Sequence, residues 1–329
     1  MPCFPRPISS LMLVLGSALL MLPTQAPAAD AWPTKPLRLV VPFPPGGGTD
    51  MVARALGETL TQRLGQTVLI ENKPGASTMI GADTVAKAPP DGYTLLVSGS
   101  TTYAVNPAVR ARLPYDPQHD LTHLAIVALA PTVLVVQGNA PWQNLEAFLA
   151  AGRARPGSLS YASYGAGSGP QLAATLLEMA SGVQLLEVPY KGSAPALTDL
   201  MGGQIEAAID TVAAVAPHIK AGKLRALAVL GSARSDALPN VPRLVDLKLA
   251  AAEYEAWYAV AAPGRLDPGL RARIEKALQE AMADPALQAR FRAQAMVPTF
   301  VGGPDFRQRM DREVSRFRML AHRAKIVVE

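Results

Sequence analysis

Short apolar segments alternate with helical segments from Pro36 onward, and this rhythm restricts the possible folds more than any other feature of the sequence. In the first third of the chain, the period of the apolar residues predicts strands over 37–41, 68–71 and 93–98 and helices over 51–64 and 79–88. Gly65 follows the first helix, where a left-handed residue often ends an α-helix. A strand–helix–strand order of this kind predicts a parallel sheet covered by helices.

The middle of the chain repeats this order. Strands are predicted over 133–136, 159–163, 185–189, 205–210 and 224–230, and helices over 145–153, 171–180 and 194–201. A proline-rich link at 238–242 precedes a strand at 258–261 and the final helices. We therefore predict an α/β fold of two lobes, each with a mixed, mostly parallel sheet flanked by helices, between which the chain crosses.

Residues 1–29 have the organisation of a signal peptide. Arg6 precedes an apolar run over 11–22, which is too short to cross a bilayer as a helix, and Pro23 ends this run. Small residues at 26–28 or 29–31 fit a signal-peptidase site, so cleavage is expected near residues 28–31. A buried N-terminal helix is the alternative, but it does not explain why these features occur in this order. We predict an exported chain.

The residue types exclude several classes of protein. Cys3 is the only cysteine and precedes the expected cleavage site, and the four histidines do not form a metal-ligand pattern. No disulfide framework, metal or cofactor is therefore expected. The net charge of +5 arises in residues 265–329, which carry 13 Lys and Arg against 8 Asp and Glu. Because these basic residues alternate with apolar residues at helical spacing and not with stacking aromatic ones, nucleic acid is not an expected partner.

Two segments combine an apolar strand, a glycine-rich loop and a helix. The first reads PFPPGGGT over 42–49, and the second reads SYGAGSGPQ over 163–171. Glycine lets the backbone come close to a ligand, and the free N–H groups and positive dipole end of the following helix favour an anion. Each loop is thus a candidate site for a carboxylate or phosphate, with a simple tight turn as the alternative. Neither loop has the complete motif of a dinucleotide-binding loop, an NTPase phosphate loop or an esterase nucleophile elbow.

Other candidates lie at the ends of predicted strands. Asp210 ends one strand, and its position is equally consistent with a ligand contact and with a turn cap. The hydroxyl groups of residues 98–102 (SGSTT) end another strand and offer neutral hydrogen-bond donors. Trp257 and Tyr258 are predicted to pack in the core.

Several segments of the chain together resemble one known family, the Bug-type substrate-binding receptors of tripartite tricarboxylate transporters. The resemblance rests on residues 36–50 (PLRLVVPFPPGGGTD), 72–97, 113–120, 161–169 (YASYGAGSG), 188–200 (VPYKGSAPALTDL) and 218–229 (HIKAGKLRALAV). It covers the mature chain from about residue 33 onward.

The resemblance implies a periplasmic binding protein of type II, with lobe 1 over 30–128 and 231–329, lobe 2 over 129–230, and a ligand cleft between them. It implies a monomeric receptor without catalytic activity or cofactor, which closes on a small organic carboxylate and delivers it to membrane subunits of the transporter. In this family the carboxylate lies between the two glycine loops. The implied ligand-binding residues here are Phe43, Pro44, Gly47, Gly48, Thr49, Asp50, Ser98, Thr101, Ser163, Gly167, Ser168, Gly169 and Asp210.

Two departures from the family pattern concern the ligand. Pro45 replaces a small residue before the glycines, and Gln171 stands where many relatives have histidine. Dicarboxylates, tricarboxylates, acidic amino acids and aromatic acids all remain candidate ligands. The alternative functions are a secreted hydrolase or lyase of small acids and a ligand sensor for a membrane signalling partner. The hydrolase requires a nucleophile, a base or a metal, and we expect the histidines to lie in loops or helices away from both glycine loops.

Overall fold

The computed structural model describes residues 1–3, 32–165, 167–232 and 234–323. Both sheets and the helices that flank them belong to the unit that begins at Pro33. Nearly all of the predicted signal peptide lies outside the described residues. Among the described residues, no helix is both long enough and apolar enough to cross a membrane.

The first sheet has six strands in the order β11-β4-β10-β3-β1-β2. Its strands are β1 (Leu37–Val41), β2 (Val68–Asn72), β3 (Thr94–Gly99), β4 (Leu121–Ala130), β10 (Ala256–Pro263) and β11 (Val297–Gly302). β1 pairs in parallel with β2 and β3, whereas β10 runs antiparallel to β3 and β4, and β11 runs antiparallel to β4.

The second sheet has five strands in the order β7-β6-β8-β5-β9. Its strands are β5 (Thr132–Gln137), β6 (Leu159–Ser163), β7 (Leu185–Pro189), β8 (Ala207–Thr211) and β9 (Leu224–Val229). β6 pairs in parallel with β7 and β8, and β5 runs antiparallel to β8 and β9. Both sheets are mixed, as predicted. Antiparallel pairs nevertheless outnumber parallel ones by five to four among the described strands, because β5 and β10 each run against both of their neighbours.

Ten α-helices flank these sheets in the described part of the chain. They are α1 (Gly48–Leu64), α2 (Met79–Ala86), α3 (Asn106–Val109), α4 (Leu145–Ala154), α5 (Gly169–Ser181), α6 (Ser193–Met201), α7 (Val212–Lys220), α8 (Pro268–Met282), α9 (Pro285–Ala293) and α10 (Gly303–Arg323). Gly65 has a φ of 66° and ends α1, as predicted. Both α1 and α5 begin earlier than predicted, at the last glycine of their loops, so each loop leads directly into a helix.

The elements that were not predicted include α3, β4, α7 and β11. β4 is the most consequential of them because it lies inside the first sheet, between β11 and β10. It also corrects the expectation for the histidines, because His123 lies on this strand and is only 4% exposed. The buried environment next to the rings of Tyr103 and Phe306 keeps this imidazole in the core.

The chain crosses between the sheets at two places that lie side by side. Pro131 separates β4 from β5, and residues 230–255 connect β9 to β10. The amide of Leu230 donates to the carbonyl of Thr132, and the amide of Tyr254 donates to the carbonyl of Leu230. The Thr132 hydroxyl in turn donates to the Tyr254 carbonyl at 3.0 Å. These bonds join both crossings into one connection beside the candidate site.

Candidate functional site

A cavity of about 640 Å³ lies between the two sheets, and both sheets contribute to its lining. The first loop and α1 contribute a group of six residues, Phe43, Pro44, Pro45, Gly47, Gly48 and Thr49. The end of β3 and the residues after it contribute Gly99, Ser100 and Thr101, and the end of β8 contributes Ile209, Asp210 and Thr211. The second loop and the start of α5 contribute Tyr164, Gly169 and Pro170, and the start of α6 contributes Gly192 and Ser193. The crossings and β10 contribute Thr132, Tyr254, Ala256, Trp257 and Tyr258. Eight of the thirteen predicted ligand-binding residues are therefore in the lining.

Asp50 does not line the cavity, but its hydrogen bonds hold the first loop in place. Its carboxylate accepts hydrogen bonds from the Gly46 amide at 2.9 Å, the Asn72 amide group at 2.9 Å and Nε of Arg54 at 2.8 Å. Burial alone would raise the pKa of Asp50, but these hydrogen bonds and the Arg54 charge hold it below its ordinary value. The side chain thereby ties the loop to α1 and β2.

The first residues of α1 and α5, the helices that follow the two glycine loops, each lie against a tyrosine side chain. A β-carbon built on Gly169, the first residue of α5, would lie 2.6 Å from the hydroxyl oxygen of Tyr254. A β-carbon on Gly48, the first residue of α1, would overlap the hydroxyl oxygen of Tyr258 and lie 3.2 Å from its Cζ. Close packing thus favours glycine at both positions, and two hydroxyl groups lie where helix N-termini favour an anion.

The polar groups of the second loop largely bind one another. The Ser168 hydroxyl accepts from the Tyr164 amide at 3.1 Å, and the Ser163 hydroxyl accepts from the Gly165 amide at 3.3 Å. The Gly167 amide donates to the side-chain carbonyl of Gln171 at 2.7 Å. Ser163, Gly167 and Ser168 lie outside the lining, and their contact with a ligand stays a prediction.

Asp210 is the one charged side chain among the described lining residues. Its Oδ2 accepts from the Tyr164 hydroxyl at 2.5 Å and from the Ser193 hydroxyl, and its Oδ1 accepts from the Thr211 amide at 2.7 Å. Burial, followed by the negative charge of Asp210, raises the pKa of Tyr258 to about 12 and that of Tyr164 further still. Both phenols therefore stay protonated at neutral pH.

The predicted strand-end hydroxyls divide between lining and core. Thr101 and Ser100 both line the cavity, and both belong to the predicted segment 98–102. Ser98 is fully buried and shares a hydrogen bond of 2.5 Å with Thr102. Its part in ligand binding also stays a prediction.

Trp257 and Tyr258 have different surroundings, although both were predicted to be core residues. Trp257 is fully buried, stacks on Tyr103 at 5.8 Å and donates from its indole N–H to Glu313 at 2.8 Å. Tyr258 is only partly buried and lines the cavity, and its hydroxyl lies against Gly48 at the start of α1. The core prediction is therefore wrong for Tyr258, because successive side chains of a strand point in different directions.

The sequence analysis missed the tyrosines of the site and Ser193. Tyr164 lies within the second glycine loop itself, and Ser193 lies in the segment 188–200 on which the family resemblance rests, so both had a local signal. Tyr254 and Tyr258 had none, because they are distant in sequence from both loops. Within the described residues, no group of three or more histidine, cysteine, aspartate or glutamate side chains is arranged to hold a metal ion.

A family model described as "Tripartite tricarboxylate transporter family receptor" matches residues 52–324. The chain belongs to this family. The match confirms the resemblance inferred from the two loops and the four other segments. Membership of this family indicates the general function, which is that of a receptor for a tripartite transporter.

Curated and structural relatives agree with this assignment. Protein BugT of Bordetella pertussis is 38% identical over 300 residues, which cover 91% of this chain and 92% of BugT. The structure of the periplasmic binding protein BugD is similar with a TM-score of 0.77 and 30% identity, over 91% of this chain and all of BugD. An R. palustris protein solved with adipate has a TM-score of 0.79 and 32% identity, over 90% of this chain and 99% of that protein. These structures confirm the two-lobed α/β architecture.

Proposed function

We propose that this receptor is exported to the periplasm, captures one small organic carboxylate in the cavity between its sheets and presents it to the membrane subunits of a tripartite tricarboxylate-type transporter. The observation that carries the proposal is the convergence of two glycine loops, each leading into a helix N-terminus, on one cavity lined from both sheets. Backbone N–H groups and helix dipoles favour an anion there without any lysine or arginine in the described lining.

The proposal describes a monomer with two lobes. Residues 129–130 still pair with β10 in the first sheet, so the first lobe extends to Pro131 and not only to residue 128. The second lobe then includes 132–229 and also residues 238–243, because Leu238 packs in its core and Arg243 pairs with Val229. The chain returns to the first sheet at β10. Serine and threonine hydroxyls in the described lining have no histidine or lysine beside them in that lining, which supports a receptor over a hydrolase.

A thermal-shift screen of the mature protein tests this function. The probes are adipate, benzoate, glutamate and citrate, each beside its amide. A ligand at 100 times its dissociation constant adds about 2.7 kcal/mol to the free energy of unfolding, which is readily detected. We expect at least one acid to raise the melting temperature and its amide to leave it unchanged. Equal shifts with acid and amide, or no shift with any acid, would contradict the proposal.

A further inference from the structure

We infer that the cavity of this receptor is specific for a monocarboxylate with an aromatic body, whose far end donates hydrogen bonds and does not carry a second carboxylate. This inference rests on the proposed function and specifies its ligand class. Three properties of the lining lead to it: its charge, the direction of the hydrogen bonds around Asp210 and its content of aromatic side chains.

The charge of the lining disfavours a second carboxylate. The described lining contains no lysine, arginine or histidine, and its single charged group is the carboxylate of Asp210, which is 6% exposed. No described lysine, arginine or histidine forms a salt bridge with Asp210. A buried carboxylate without a cationic partner repels a second anion and attracts a cation, because the low polarity around it weakens screening.

The hydrogen bonds around Asp210 also disfavour a second carboxylate on the ligand. The hydroxyls of Tyr164 and Ser193 and the amide of Thr211 all donate to its carboxylate. A second ligand carboxylate placed at this end would need those donors for itself, and they are already in use. A carboxylate oxygen accepts two hydrogen bonds, and Oδ1 of Asp210 accepts one from the described protein groups, so it has capacity for a donor of the ligand.

Aromatic side chains supply the body of the site. Four of them line the cavity, from both loops, from β10 and from the residues before it: Phe43, Tyr164, Tyr254 and Tyr258. Trp257 also belongs to the lining, but its indole packs in the core against Tyr103. Aromatic rings attract a flat aromatic ligand through offset-stacked and edge-to-face contacts beyond simple area burial. A ring that carries one carboxylate toward the helix N-termini and a donor toward Asp210 therefore matches the lining along its length.

The relative solved with adipate gives the inference its sharpest contrast, because adipate is an aliphatic dicarboxylate. The test compares two matched series by calorimetry on the mature protein at neutral pH. The aromatic series is 4-(aminomethyl)benzoate, 4-methylbenzoate and terephthalate, and the aliphatic series is 6-aminohexanoate, hexanoate and adipate. Within each series only the group at the far end changes, from an ammonium to a methyl to a carboxylate group. We expect the amino compound to bind at least tenfold more tightly than the carboxylate compound, and the aromatic series more tightly than the aliphatic one.

Two variants assign the preference to Asp210. Asp210→Asn should reduce the affinity ratio of amino to carboxylate compound by about tenfold, since it removes the charge and keeps the shape. Asp199→Asn is the matched control, because Asp199 also accepts from a tyrosine hydroxyl, that of Tyr190 at 2.9 Å, but lies outside the lining. This control should leave the ratio unchanged.

Different outcomes of these experiments would contradict the ligand class and the proposed function. If terephthalate or adipate binds the unmodified protein as tightly as its uncharged-end analogue, or if Asp210→Asn leaves the ratio unchanged, the ligand class is wrong while carboxylate binding stands. If none of the six compounds binds and the acid–amide screen is also negative, carboxylate binding itself is wrong.

Discussion

The contact between Gly169 and Tyr254 allows a quantitative test of the site's packing. In Gly169→Ala, the new β-carbon would lie 2.6 Å from the Tyr254 hydroxyl oxygen but 3.4 Å from its Cζ, which is an ordinary contact. The hydroxyl must therefore retreat from the new β-carbon by about 0.8 Å. Overpacking of this kind costs about 1–3 kcal/mol, and alanine recovers up to about 1 kcal/mol through its better helix propensity. We expect a net loss of about 1–2 kcal/mol.

The Tyr254→Phe background isolates the hydroxyl oxygen. Tyr254→Phe alone should cost no more than about 1 kcal/mol through the lost contacts of the hydroxyl, and no atom of phenylalanine would then approach the new β-carbon too closely. Gly169→Ala should accordingly be neutral or slightly stabilising in that background, which corresponds to a coupling free energy of at least about 1 kcal/mol. Urea unfolding of the four proteins without ligand measures it.

Gly302→Ala is the control, because its β-carbon would meet no atom within 4 Å. It should leave the free energy of unfolding within about 0.5 kcal/mol of the unmodified protein. If Gly169→Ala destabilises both backgrounds equally, the hydroxyl is not what restricts this position, and the packing argument is refuted. The pair Gly48 and Tyr258 should show the same sign with weaker rescue, since Cζ would remain 3.2 Å from the added carbon.

Two further predictions concern pH and movement. Burial, together with the charges of Arg307 and Arg271, lowers the pKa of His123 to about 4 from 6.5, so the unfolded chain binds this proton first as the pH falls. The neutral His123 contributes its full share to the free energy of unfolding above pH 6.5, and this share decreases toward pH 4 by up to about 3 kcal/mol. Urea unfolding should show a smaller decrease in the free energy of unfolding for His123→Phe. An equal decrease in both proteins would contradict the assignment to His123. Closure of the lobes around a carboxylate should lower the radius of gyration in small-angle X-ray scattering, and an unchanged radius at saturation would contradict a hinge.

The missed secondary structure has physical causes in the sequence. β4 is buried on both faces over most of its length, so it lacks the alternation that marks a strand, and only Pro131 separates it from β5. α7 contains Pro217, which normally interrupts a helix, yet the helix continues to Lys220. β11 is a half-buried edge strand with Pro298 and an irregular register, so its local signal is weak.

The candidate site could be predicted where the signal is local in sequence, but not where it depends on contacts between distant segments. The two glycine loops follow strands and precede helices, and this local pattern was sufficient to predict them and the anion-binding helix ends. The tyrosines that cover those ends could not be predicted, because their position depends on the pairing of β10 with β3 and β4. Asp210 was predicted from its place at a strand end, but only the structure shows that Tyr164, Ser193 and Thr211 bind it.

Tyr254 connects the site to the relative position of the sheets. Its ring lies 6.1 Å from that of Phe317 on α10, which packs on β4 of the first sheet. Its hydroxyl lies against Gly169 at the start of α5, which packs on β6 of the second sheet. Its backbone carbonyl meanwhile accepts from Thr132 at the other crossing. Because one side chain contacts both halves of the cavity, movement of one sheet against the other has to change at least one of these contacts. Ligand binding at the helix ends and movement about the crossings are therefore coupled through the same residue.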